Sequence, residues 1–167
     1  MSDDRPLKSA IELAMERMAK KDADAGITSK PLTEAQKAAI AERLTVEVMK
    51  VETGGHDTPG FRAISALLLD EIPGGAWSVG GRFDAGPSAI VEIRVPEGAL
   101  DDERRATMAA VTHDVLTAIS PALAAVDGVR RIWTHLVEIK DGNWGAGGRI
   151  VRLPDVQQIA MSVPESA

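Results

Sequence analysis

The chain has 167 residues with 25 acidic and 19 basic side chains, a net charge of -6. It therefore lacks the basic surface that a sequence-independent nucleic-acid binder needs to neutralise phosphates. With no cysteine it has no disulfide, no thiolate catalysis and no cysteine-ligated zinc, which fits a cytoplasmic setting.

The amino terminus, Met1-Ser2-Asp3-Asp4, is acidic and reads as no secretory leader. Leu7, Ile11, Ala14, Met15 and Met18 recur at helical spacing, so residues 5–20 are expected as an amphipathic helix, followed by a polar linker to about Pro31. Thr33 and Gln36 have the spacing of a capping box. Ile40, Leu44, Val48 and Val51 then predict a helix ending near Gly54-Gly55. Phe61 to Ile72 is short and apolar, and periodicity alone leaves it as strand or helix. No run approaches membrane-spanning length; Ala66-Leu67-Leu68-Leu69 is the longest solid apolar one.

Ser88 to Val95 alternates, with Val91, Ile93 and Val95 facing one way and Glu92 and Arg94 the other, which predicts a strand. Pro96-Glu97-Gly98 turns it into a helix capped near Asp101, carrying Met108, Val111, Val115 and Ile119 on its inner stripe, with Pro121 beyond its end. Arg131 to Ile139 is β-branched and aromatic and stops at Asp141-Gly142, so it is a second strand. Strand, helix and parallel strand make a βαβ unit.

The chain also repeats itself. Glu71-Ile72-Pro73-Gly74-Gly75-Ala76-Trp77-Ser78-Val79-Gly80-Gly81-Arg82 returns 67 positions later as Glu138-Ile139-Lys140-Asp141-Gly142-Asn143-Trp144-Gly145-Ala146-Gly147-Gly148-Arg149. Leu44-Thr45-Val46 answers Val111-Thr112-His113 at the same offset, so two copies of one supersecondary unit lie in tandem. By this alignment Phe61–Ile72 is assigned to strand, and a first strand is called for at residues 21–28, where Lys21 to Ile27 shows no strand pattern.

The glycine segments suit hairpin turns better than phosphate loops, because each nucleotide fingerprint needs a helix directly after the glycines, and Arg149 to Leu153 is strand-like. His56, His113 and His135 lack metal-ligand spacing and are expected as packed or surface residues, so no metal site is assigned. Trp77 and Trp144 occupy equivalent positions, as core or oligomer contacts or as walls of a ligand site. Arg62 and Arg131 open the second strand of each copy, either as solvated charges or as holders of a substrate carboxylate.

Val95 to Leu100, the acid-capped helix with Val111-Thr112, and Val137 to Gly148 together resemble the tautomerase superfamily, in particular the fused two-unit relatives of 4-oxalocrotonate tautomerase. The resemblance covers residues 31 to about 160 in both copies. It implies an α+β fold in which two tandem βαβ units form a four-stranded mixed sheet with two helices on one face, the amino-terminal helix being additional. Residues 1–30 are then helix and linker, and 31–167 the tautomerase-like domain, with units 31–86 and 87–160. The resemblance further implies a homo-oligomer, commonly a trimer, with no cofactor, no nucleic acid and no membrane association. Its partner is a small carboxylate or 2-oxo acid, interconverted between keto and enol forms, with Arg62, Arg131, Trp77 and Trp144 as the candidate binding residues.

The departure from the family is at its catalytic amino-terminal proline. That position maps to Ala89 in the second copy and Asp22 in the first, both inside the chain, where the backbone nitrogen is an amide without basicity. The arginine expected after the Glu-Gly turn is Ala99. A non-catalytic subunit or small-carboxylate-binding protein is therefore the alternative reading.

Overall fold

The computed structural model describes residues 31–73, 75–83 and 86–162. The expected helix at 5–20 and the first-copy strand position at 21–28 lie outside them. The described residues fall into two compact units, a smaller one from 72–87 and a larger one from 32–71 with 88–162.

In the larger unit, helix α1 (Glu34–Thr53) begins as the sequence dictates. The Thr33 hydroxyl accepts from Gln36 N at 3.2 Å and the Gln36 amide oxygen accepts from Thr33 N at 3.0 Å, satisfying two donors that a helix start leaves open. Gly54 ends it at φ 74°, a left-handed conformation that costs glycine little. After the short helix α2 (Pro59–Ile64) the chain reaches strand β1 (Ala89–Pro96). Helix α3 (Asp102–Ile119) is capped by Asp101, whose carboxylate accepts from Arg104 N at 2.8 Å, and carries Asp102 and Glu103 at the positive end of its dipole. Short helices α4 (Pro121–Ala124) and α5 (Gly128–Arg131) lead to strand β2 (Ile132–Ile139). Strands β3 (Gly145–Ala146) and β4 (Arg149–Ile150) form a small hairpin, and helix α6 (Leu153–Ala160) follows.

β1 and β2 pair in parallel, in register from Ala89 opposite Ile132 to Pro96 opposite Ile139, with α3 as the crossover. Ile40 and Leu44 from the first half of α1 cluster with Val115 and Leu116 from the second half of α3, together with Leu123 and Ile132. Val48 and Val51 pack against Met108, Leu100, Ile93 and Val95. The two helices therefore run antiparallel over one face of the sheet. Met49, Met108, Val95 and Val115 are almost fully buried, each contributing roughly 1.5–3 kcal/mol of apolar burial. A third cluster, Met49, Phe61 and Ala160, ties α1, α2 and α6 together.

The smaller unit shows the repeat in backbone form. Val79 and Arg82 exchange hydrogen bonds of 2.9 and 3.1 Å around Gly80 and Gly81, at φ 61° and 77°. In the larger unit Ala146 pairs with Arg149 around Gly147 and Gly148, at φ 57° and 76°. Two consecutive residues at positive φ define the tight hairpin turn that glycine favours, so both copies of the glycine pair do the same work.

Two expectations are corrected. Phe61–Ile72 is not a strand: residues 59–64 are helical, because the Thr58 hydroxyl caps Phe61 N at 3.1 Å and Pro59 pre-sets the first turn. Ser65 to Glu71 has no regular secondary structure and joins no ladder among the described residues, and side chains hold it instead. Leu69 packs against the first core cluster, Glu71 Oε1 accepts from Leu32 N at 2.7 Å, and Glu71 Oε2 pairs with Lys37 Nζ at 2.9 Å. Arg149 to Leu153 is strand for only two residues, since Pro154 and an Asp155 carboxylate accepting from Arg152 N at 2.9 Å start α6. The sheets among the described residues are two-stranded; the fold is a mixed α+β one with small sheets.

Candidate functional site

The two ends of the β1–β2 sheet differ in how their charges are used. At the carboxyl end, Glu97 accepts from Asp141 N at 3.1 Å and Asp141 pairs with Arg152. Arg105 reaches Glu138 at 3.1 Å and Asp102 at 2.9 Å, and its hydrogen bond to Glu138 holds its guanidinium protonated more firmly than usual. These charges neutralise one another, and the turns that leave β1 and β2 are stitched together.

At the amino end, α5 closes on Arg131, and the next residue, Ile132, lies opposite Ala89. Arg131 is half-buried, and its Nη1 is buried with no hydrogen-bond partner among the described residues. A buried donor left unpaired costs about 1–3 kcal/mol, and a guanidinium is shaped to take a carboxylate through two parallel N–H groups. The nearest acid in sequence, Asp127, is already engaged: it caps Val129 N at 3.2 Å and pairs with Arg130 at 3.3 Å. Exposed Ile90 and Val129 belong to the same end and add apolar surface. Close by, the His113 imidazole lies so near Gly128 that a Cβ there would stand 2.6 Å from its Nε2, while Nδ1 is 3.3 Å from Asp114.

Of the four residues singled out from sequence, the three in the larger unit, Arg62, Arg131 and Trp144, do not form one constellation. Arg62 is on α2 rather than on a strand, its Nε 2.7 Å from Asp57 and its Nη1 2.9 Å from Glu42. Those hydrogen bonds, Asp57 first, raise the basicity of its guanidinium, and the same Arg62 contact lowers the Asp57 carboxyl. Trp77 is half-buried in the 72–87 unit. Trp144 is half-buried beyond the carboxyl end of β2, its carbonyl accepting from Val151 N at 2.8 Å. Arg131 and Trp144 are thus separated by the whole length of β2, about 23 Å at the rise of a strand.

One ionisable group escaped the sequence reading. Glu52 is half-buried in the last turn of α1, makes no hydrogen bond or ion pair among the described residues, and is pushed up to about 7 by burial. The signal was present in the repeat, where the equivalent position is Ile119.

Two open hollows flank the β3–β4 hairpin. One, of about 310 Å³, is lined by Arg149, Asp155, Gln158, Ile159 and Ser162, and the other, of about 410 Å³, by Gly145 to Ile150. Neither includes Arg131 or Glu52.

No family model and no curated protein matches the sequence. Among solved structures, Pt0534 inactivated by 2-oxo-3-pentynoate is similar with a TM-score of 0.59 and 21% identity, over 72% of this chain and 88% of that one. The wild-type asymmetric trimer of F6 fused 4-OT is similar with a TM-score of 0.59 and 17% identity, over 72% and 89%. Both are tautomerase-superfamily structures, and at these identities the likeness is one of fold.

Proposed function

We propose that this chain is a tautomerase-like protein that holds small 2-oxo acids by their carboxylate and interconverts their keto and enol forms without a cofactor. The observation that carries the proposal is Arg131, a guanidinium beside the head of β1 whose buried Nη1 has no partner among the described residues. The fold shared with a protein inactivated by 2-oxo-3-pentynoate supports the substrate class. Trp77, Trp144 and Arg62, the last once released from Asp57 and Glu42, are proposed as further ligand-binding residues. Two repeats, 31–86 and 87–160, assembled as a cytoplasmic homotrimer with a four-stranded sheet in each copy, complete the proposal.

A second reading is favoured by Ala89. Its nitrogen is a peptide amide inside β1 and offers no lone pair for general-base work. On that reading the protein binds the carboxylate and performs no chemistry.

Deuterium exchange at C3 of phenylpyruvate or pyruvate, followed by NMR, separates the readings. Exchange above the buffer rate, weakened by Arg131→Ala, supports the isomerase. Binding without exchange selects the binding protein, and neither binding nor exchange overturns both.

A further inference from the structure

Two buried side-chain atoms of the larger unit, Ser88 Oγ and Arg131 Nη1, have no hydrogen-bond partner among the described residues. The sheet register brings their residues together. Ala89, the first residue of β1, is paired with Ile132, the first of β2, so Ser88 and Arg131 each stand one step ahead of that pair. Neighbouring strands lie about 4.8 Å apart, which puts both residues within reach of one small molecule.

The acids nearest in sequence are engaged. Asp127 caps Val129 N and pairs with Arg130, and Glu92 on β1 pairs with Arg94 at 2.6 Å. The repeat shows that the guanidinium is no packing requirement, because the first copy has an exposed Ile64 at the position of Arg131. Each orphaned group destabilises the free protein, and a ligand that supplies an acceptor to both removes both penalties at once. The wall between these groups and water is thin. The helix α5 is a single turn whose Val129 is 86% exposed, and Ile90, two residues after Ser88, is 45% exposed; short, sparsely packed elements of this kind open at little cost.

The two donors differ, and the difference defines the ligand. A guanidinium takes both oxygens of a carboxylate through parallel N–H groups, which leaves the neutral hydroxyl to find an acceptor elsewhere on the same molecule. We propose that Ser88 reads that acceptor: Arg131 holds the carboxylate of a small acid, and the Ser88 hydroxyl bonds the oxygen on its second carbon. The ligands are then short acids oxygenated at C2, oxo or hydroxy alike. Plain alkanoic acids are rejected because they leave the Ser88 hydroxyl buried and unpaired. The inference rests on the carboxylate role proposed for Arg131 and adds a specificity-determining residue to it. It holds whether the site performs chemistry or only binds.

The test titrates the full chain with pyruvate, lactate and propionate, the last lacking only the C2 oxygen, and follows the amide resonances of Ala89 and Ile132 by NMR. Pyruvate and lactate are expected to bind at least about tenfold more tightly than propionate. Ser88→Ala should bring pyruvate down to the level of propionate and leave propionate unchanged. Its thermal midpoint should equal or exceed that of the wild type, because the hydroxyl removed has no partner to lose. Arg131→Ala should weaken all three acids. Propionate bound as tightly as pyruvate by the wild type, or a pyruvate preference that survives Ser88→Ala, overturns the inference and leaves the Arg131 reading standing. Binding that Arg131→Ala does not change, or no binding of any of the three acids, overturns both.

Discussion

The Thr58 hydroxyl donates a hydrogen bond to the main-chain oxygen of Ala160, 102 residues further along the chain, while it accepts from Phe61 N. One side chain thus caps the start of α2 and the end of α6, joining a donor-rich helix terminus to an acceptor-rich one. Beside it Gly60 lies so close to α6 that a Cβ would stand 2.2 Å from the Ile159 oxygen and 2.4 Å from that of Ser162.

Gly60→Ala is therefore expected to cost more than about 2 kcal/mol, because the obstacle is backbone and cannot swing aside. Thr58→Ala should cost about 1–2 kcal/mol and Thr58→Ser much less. Urea unfolding measures all three, and a neutral Gly60→Ala would mean that α6 is not docked on α2.

Glu52 makes stability depend on pH. Its folded-state pKa, about 7, is above the ordinary carboxylate value of 4.5, so the native state favours the protonated form. Its destabilising effect is absent below pH 4.5, grows as pH rises toward 7 and is complete above it, at about 3 kcal/mol. Glu52→Gln should remove this slope and stabilise the protein at pH 8. Unfolding midpoints at pH 5 and pH 8 give the answer.

Arg131→Met is expected to leave the free protein as stable or more stable by about 1 kcal/mol, because it removes an unpaired buried donor and keeps the volume. The same change should weaken pyruvate binding by about tenfold or more. Calorimetric titration and thermal unfolding on one sample test both halves.

Glu71 holds the ladder-free segment 65–71 through Leu32 N and Lys37, and those hydrogen bonds, the one from Leu32 N first, lower its carboxyl below the usual range. Its stabilising contact is present above the ordinary carboxylate pKa and is lost as pH falls through the lowered one. Glu71→Gln should speed amide exchange at Leu32 with little effect on the core cluster. Exchange unchanged at Leu32 would mean that Leu69 alone anchors the segment.

Much of the second repeat was legible because its signals are local. The alternation of Val91, Ile93 and Val95, the Asp101 cap and the glycine pair at 147–148 each declare themselves within a few residues, and β1, α3, β2 and the hairpin form accordingly. The short apolar run after Phe61 was not legible: Thr58 and Pro59 start a helix there, and the hydroxyl that caps it is fixed by α6 far along the chain.

The same division holds for the candidate sites. By itself the sequence determined the repeat, the two helices that cover the sheet and the absence of a basic amine at Ala89, because composition, periodicity and peptide chemistry need no neighbours. Only the tertiary structure decided that Arg62 is neutralised by Asp57 and Glu42 and that, among the described residues, Arg131 keeps an unpaired nitrogen and Glu52 is a half-buried acid without a partner. The charge state and availability of a side chain depend on which groups fold against it and how much water they exclude, and those groups come from distant parts of the chain.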